Sequence, residues 1–126
     1  MLRTAAVLAV SALALIACQK RVTPPGDIGV CYHAIPQKDG TIRYNKVGGE
    51  TPNLETCAAQ LEAMRIRFLR LGGNQQEIMG AYQGNFLFLQ KEGIFTSPSL
   101  QSGRYLALVR TGDGRLAIPG AMPQQP

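Results

Sequence analysis

The sequence predicts an α+β fold in which one amphipathic helix packs on a mainly antiparallel sheet, in the order β-β-α-β-β-β with a further strand possible at the end. Three observations carry this. A single stripe of apolar residues at steps of three and four runs from Leu54 to Leu71. Short alternating or apolar runs stand on both sides of it and read as strands. The links between those runs are short and rich in Gly, Asn and Asp, which favours antiparallel neighbours with the helix on one face. No internal repeat or composition break divides residues 27–118, so they read as one small domain.

Each element has its own warrant. Residues 28–35 (IGVCYHAI) form a first strand, with Ile28, Val30, Tyr32 and Ala34 on one face and Cys31, His33 and Ile35 on the other. Asp39-Gly40 is a hairpin signal, and Thr41 to Val47 returns as a second strand. Thr51 then stands where an N-cap would, with Pro52 at the first helical position, where its missing N–H is not needed. Glu55 falls near the first turn, where the helix dipole favours an anion. The stripe comprises Leu54, Cys57, Ala58, Leu61, Met64, Phe68 and Leu71, and Gly72-Gly73-Asn74 ends the helix. Beyond it lie strands at 77–83, 86–90, 94–96, 104–110 and 115–118. Gly80 inside the first of these suggests a bulge, and Gly84-Asn85, Lys91-Glu92-Gly93 and Thr111-Gly112-Asp113-Gly114 read as turns. In 86–89, Phe86 and Phe88 are expected on the core face and Leu87 and Leu89 against a neighbour. With both faces apolar, this strand is either central or a covered edge. Residues 119–126 (PGAMPQQP) lack apolar bulk and read as a mobile tail.

The start of the chain has a different character. Arg3 precedes an apolar run from Ala5 to Ala17 broken only by Ser11. That run is shorter than the roughly 20 residues a membrane-spanning helix needs, and it has the layout of a secretory signal segment. It closes in Leu15-Ile16-Ala17-Cys18, which resembles the lipobox of bacterial lipoproteins. The resemblance covers only this segment. It implies removal of residues 1–17 and acylation of Cys18, with a further acyl chain on the new amino terminus. Two or more chains give stable anchoring, at about 0.8 kcal/mol per buried CH₂. It places the protein in the bacterial envelope, lipid-anchored and facing the periplasm. Gln19, standing where an Asp would signal inner-membrane retention, points to the outer membrane. The other readings are a plain secretory signal with a coincidental Cys, or a retained anchor. Residues 18–26 follow as a short polar tether stiffened by Pro24-Pro25, with Lys20 and Arg21 near the headgroups.

The formal net charge is +5, and loss of Arg3 lowers it by one. This surplus suits anionic lipid or lipopolysaccharide but is no nucleic-acid footprint. Once Cys18 carries lipid, Cys31 and Cys57 remain as an even pair in an oxidising compartment, and we expect them to bond. Cys57 lies on the apolar stripe, so such a bridge would tie the first strand to the helix. A metal pair or a redox pair is disfavoured by the wide spacing and the absence of C-x-x-C.

Little else in the sequence announces chemistry. His33 is the one histidine. A small hydrolase would need it beside a nucleophile such as Cys57 or a Ser, with Asp27 or Glu77 as orienter, and no catalytic motif supports that arrangement. We assign no catalytic residue, no metal and no cofactor. Arg65, Arg67 and Arg70 form a basic helical ridge, read either as a solvated face or as a contact for an envelope protein or anionic lipid. Glu62 can pair with Arg65 at a spacing of three. Ile66 and Leu69 stand off the buried stripe and would add an apolar docking patch. The leading expectation is a non-enzymatic binding or structural module, followed by an inhibitor or ligand-binding lipoprotein.

Overall fold

The helix and the strands around it form where the periodicity places them. The computed structural model describes residues 21–74 and 77–120. Their elements are β1 (Cys31–Pro36), β2 (Ile42–Lys46), α1 (Leu54–Arg70), β3 (Ile78–Tyr82), β4 (Asn85–Gln90), β5 (Gly93–Ser97), β6 (Tyr105–Arg110) and β7 (Leu116–Ala117). The strands make one seven-stranded sheet in the order β2-β1-β3-β4-β5-β6-β7, and every pairing is antiparallel. The α+β class is as expected, with five strands in the meander after the helix. The sheet leaves its sequential order once: β2 and β3 flank β1 on opposite sides, so α1 is the crossover that carries the chain past β1. The signal segment and Cys18 lie outside the described residues, as does the tail from residue 121 onward.

Alternation along the strands sorts side chains into two apolar layers. On the helix side, Leu87 and Leu89 of β4, Ile78 of β3, Ile94 of β5 and Leu108 of β6 pack with Cys57, Ala58 and Leu61 of α1. On the opposite side, Ala81, Phe86 and Phe88 form a second cluster with Tyr32, Tyr44, Met79 and Phe95 around it. The expectation for β4 is therefore corrected. Leu87 and Leu89 face the main core, and Phe86 and Phe88 face away from the helix. All four are essentially fully buried, because β4 is the middle strand and both of its faces are covered. Full burial of each such side chain contributes about 1.5–3 kcal/mol.

The cover on the second face comes from outside the regular elements. Val22 packs against the Phe86–Phe88 cluster. Its N–H donates to Gln101 Oε1 at 2.9 Å, and its carbonyl accepts from Leu100 N–H at 3.0 Å. Pro24 is buried, and Pro25 O accepts from Gly84 N–H at 2.9 Å. The stretch from Val22 to Pro25, read from composition as a free tether, is thus laid on the sheet. The 97–102 turn is ordered by serines: Ser99 Oγ and Ser102 Oγ lie 2.6 Å apart, Ser102 N–H donates to Ser99 Oγ at 3.1 Å, and Ser97 Oγ donates to Ser99 O.

Helix boundaries follow side-chain chemistry with one correction. The N-cap is Asn53, not Thr51. Asn53 Oδ1 accepts from Thr56 N–H at 2.8 Å. Pro52 therefore precedes the cap and does not occupy the first turn. Thr51 is drawn inward instead: it is fully buried, its N–H donates to Gly29 O, and its carbonyl accepts from Tyr82 Oη–H at 2.8 Å. Those tertiary bonds outweigh its capping propensity. The same contacts shorten β1, because Gly29 donates to Gln83 Oε1 and Ile28 is left 89% exposed in a turn. At the other end, Gly73 N–H bonds to Phe68 O and Gly72 N–H to Leu69 O. With Gly72 at φ +85°, this is a Schellman cap, as the glycines foretold. Leu71, counted on the stripe, sits at the cap and is 79% exposed.

Two further expectations change in the β3–β4 hairpin. The turn is Gln83-Gly84, not Gly84-Asn85. Tyr82 pairs with Asn85 and both turn residues have positive φ, as a type I′ turn requires. Gly80 carries no bulge: it pairs with Leu87 in unbroken register. The irregularity falls instead at Ile94/Phe95, between β5 and β6.

Gly80 serves the helix. A Cβ there would lie 2.2 Å from Leu61 Cδ1 and 2.9 Å from Tyr32 O, so the bare backbone is the floor on which Leu61 rests. Beside this contact the Cys31–Cys57 disulfide joins β1 to α1, with Cα atoms 5.4 Å apart and both residues fully buried. Its sequence separation of 26 corresponds to about 3 kcal/mol in the chain-entropy model. Gly80→Ala should destabilise the domain by about 1–3 kcal/mol through overpacking. In a Leu61→Ala background the added cost should shrink. A double-mutant cycle by urea unfolding measures this coupling, and additive costs would contradict the packing account.

Candidate functional site

The strongest polar constellation among the described residues is built on Glu62. This carboxylate sits in the middle of α1 and is only 8% exposed. Arg65, one turn along, donates from Nη2 to Oε1 at 2.8 Å and from Nε to Oε2 at 3.0 Å. Arg110, at the end of β6, donates from Nε to Oε1 at 2.8 Å and from Nη2 to Oε2 at 2.9 Å. Two guanidinium forks thus share one carboxylate, the bidentate geometry in which such bonds are strongest. Arg110 also donates from Nη1 to the carbonyls of Gln90 and Lys91 in the β4–β5 turn. Burial alone would push the Glu62 carboxyl up, but the hydrogen bonds and charges of Arg110 and Arg65 prevail and hold it at about 2.

The sequence anticipates half of this. The Glu62–Arg65 pair is at the expected spacing and is formed. Arg110 is legible only after folding, because no local pattern links residues 62 and 110. The expected basic ridge is correspondingly divided. Arg65 is bonded to Glu62, whereas Arg67 and Arg70 in the last turns of α1 are exposed. Ile66 and Leu69 flank them, each 37% exposed. Ile66 also borders a groove between α1 and the β6–β7 turn, lined further by Ala59, Ala63, Arg115 and Leu116.

His33 occupies a packing environment. It lies on the helix side of β1, with its ring centroid 6.3 Å from that of Phe68. Burial lowers its pKa, so the neutral imidazole prevails at pH 7. Cys57, Asp27 and Glu77, named above as partners for it, each bond to another group. Cys57 is in the disulfide, Asp27 Oδ2 accepts from Tyr32 Oη–H at 2.7 Å, and Glu77 pairs with Arg104 at 3.3 Å. Among the described residues no group of three His, Cys, Asp or Glu side chains is arranged to hold a metal ion.

An open cleft of about 540 Å³ runs from His33 and Phe68 around to the second face of the sheet, where Met79, Phe88, Leu100 and Arg104 line it. The Arg104 guanidinium lies 3.6 Å above the centroid of the Phe88 ring, a cation–π contact that roofs part of the second apolar cluster. Sequence reading did not single out Arg104 or Leu100. Their roles arise from the 97–104 turn folding over the sheet.

Comparison with protein-family models, curated proteins and solved structures finds no match to this chain. Function must therefore be argued from these residues.

The Glu62 clamp makes a pH prediction. A carboxyl held below its ordinary value of 4.5 stabilises the fold fully above that value and loses this contribution as pH falls towards about 2. The unfolding free energy from urea titrations should fall between pH 7 and pH 2.5 by on the order of 2 kcal/mol more in the native chain than in Glu62→Gln. An equal fall in the two proteins would show that the clamp does not hold the carboxyl below its ordinary value.

Proposed function

We propose that this chain is a lipid-anchored protein of the bacterial envelope whose domain acts as a non-enzymatic binding or structural module. The observation that carries the reading is Leu15-Ile16-Ala17-Cys18 closing a short apolar segment that begins after Arg3. A buried disulfide in so small a domain accords with an oxidising compartment. The commitment of Cys57, Asp27 and Glu77 to structural contacts favours binding over catalysis. The binding surface on this reading is the outer flank of α1, where Ile66 and Leu69 lie among Arg67 and Arg70. An apolar patch with cationic neighbours suits an envelope protein bearing an acidic rim. The alternative, a ligand-binding or inhibitory lipoprotein, draws on the cleft beneath Leu100 and Arg104.

Intact mass of the native protein, taken from the membrane fraction without reductant, tests the anchor. The expected species begins at Cys18, is heavier by its acyl chains and lighter by the two hydrogens of the disulfide. Cys18→Ser should appear in the soluble fraction without the added mass. An unacylated native protein would overturn the reading. For the binding surface, Ile66→Gln with Leu69→Gln should abolish photo-crosslinks formed from the α1 flank, with urea unfolding of the double variant showing that the fold is kept, since each side chain is only 37% exposed. Retained crosslinks would move the binding site elsewhere.

A further inference from the structure

If Cys18 carries the lipid, the structure constrains how the domain sits on the membrane. The chain is not free up to the first strand. It is fixed at Val22, whose carbonyl accepts from Leu100 N–H and whose N–H donates to the Gln101 side-chain carbonyl, and by packing on the Phe86–Phe88 cluster. Cys18 precedes Val22 by four residues, a reach of at most about 14 Å at full extension. An acyl group on Cys18 would thus be tethered within about 14 Å of Val22, which packs on the sheet face opposite α1. The rim beside Val22 has the composition of a membrane-contact surface. Leu100 stands there 40% exposed, on a turn held by Ser97, Ser99 and Ser102. Arg21 is exposed next to Val22, and Lys20 precedes it in sequence.

We propose that the rim formed by Arg21, Val22 and the 98–102 turn seats on an anionic lipid surface, with Leu100 as its apolar contact, so that the outer flank of α1 points away from the membrane. The proposal rests on the lipid-anchor reading above and adds an orientation to it. The seat is a preferred face, set by the short leash and the charge beside it. Anionic phospholipid is the occupant because the exposed Arg21 lies at the described start of the short leash, beside Val22 and Leu100.

The test uses the full-length, natively acylated protein in vesicles of phosphatidylethanolamine and phosphatidylglycerol. A nitroxide is placed at Leu100→Cys or, as the control on the far side, at Ala59→Cys, an exposed position on α1. The label at position 100 should lose accessibility to a water-soluble nickel chelate and gain accessibility to oxygen when the protein binds vesicles. The label at position 59 should remain accessible to nickel. In vesicles of phosphatidylcholine alone the protein should still float, but the shift at position 100 should diminish. Flotation with both labels equally open to nickel would overturn the seating while leaving the anchor intact, as would burial of position 59 instead of 100. Failure of the native protein to float, with no acyl mass at Cys18, would overturn the anchor and the seating together. An undiminished shift in neutral vesicles would remove the role given to anionic lipid.

Discussion

The fold depends on how closely α1 can approach the sheet, and that distance is set by Leu61 resting on the bare backbone of Gly80. Any side chain at Gly80 would lift the helix off β3. With the helix at that height, Cys57 meets Cys31 at disulfide distance, and Leu61 and Ala58 close over Leu87 and Leu89. Glu62, the next residue along, is carried down to the end of β6, where Arg110 meets it. One missing methyl group thus governs the core, the covalent staple and the ion cluster.

These three attachments act on different parts of the helix. The disulfide fixes its first half to β1, near the sheet edge. Leu61 fixes the middle to β3. The Glu62 cluster fixes the flank to β6 and to the carbonyls of the β4–β5 turn. Burying a carboxylate is costly by itself, and breaking such a pair leaves uncompensated charge behind. Four N–H donors on two oxygens offset that cost here. They make the cluster a registry device, because Arg110 can reach Glu62 only with β6 correctly placed beside β5. The helix thus holds the meander at β3 and at β6, whose own pairings from β3 to β7 are all between sequential strands.

The second face of the sheet changes how the N-terminal segment is understood. Composition alone presents residues 19–26 as a polar spacer. In the structure Val22 packs on Phe86 and Phe88 of β4, adding to the cover that Tyr32, Met79 and Phe95 supply, and Pro24 is buried. The serine-bonded turn and Arg104 complete that cover. On the proposed lipid anchor, a leash that begins from this docked segment would be shorter and more directed than one free up to β1.

The sequence by itself determined the class, the strand count to within one, the helix and its Schellman stop, the Cys31–Cys57 pairing and the Glu62–Arg65 pair. The helix, its stop and the ion pair rest on short-range rules, a 3.6-residue period, a glycine at a positive φ and a spacing of three, and the disulfide rests on an even pair of cysteines left after Cys18. It also carried the lipobox-like segment, which lies outside the described residues. Tertiary structure decided what depends on distant partners. Thr51 left the N-cap to bond Gly29 and Tyr82, and Asn53 took its place. Gly80 made a seat for Leu61 where local reasoning suggested a bulge. Arg110 entered the Glu62 site from 48 residues away, and the Val22 segment folded onto a face that alternation alone left unassigned. Local rules read propensities along the chain. These remaining choices were settled by burial and hydrogen-bond satisfaction, which exist only once separate segments meet.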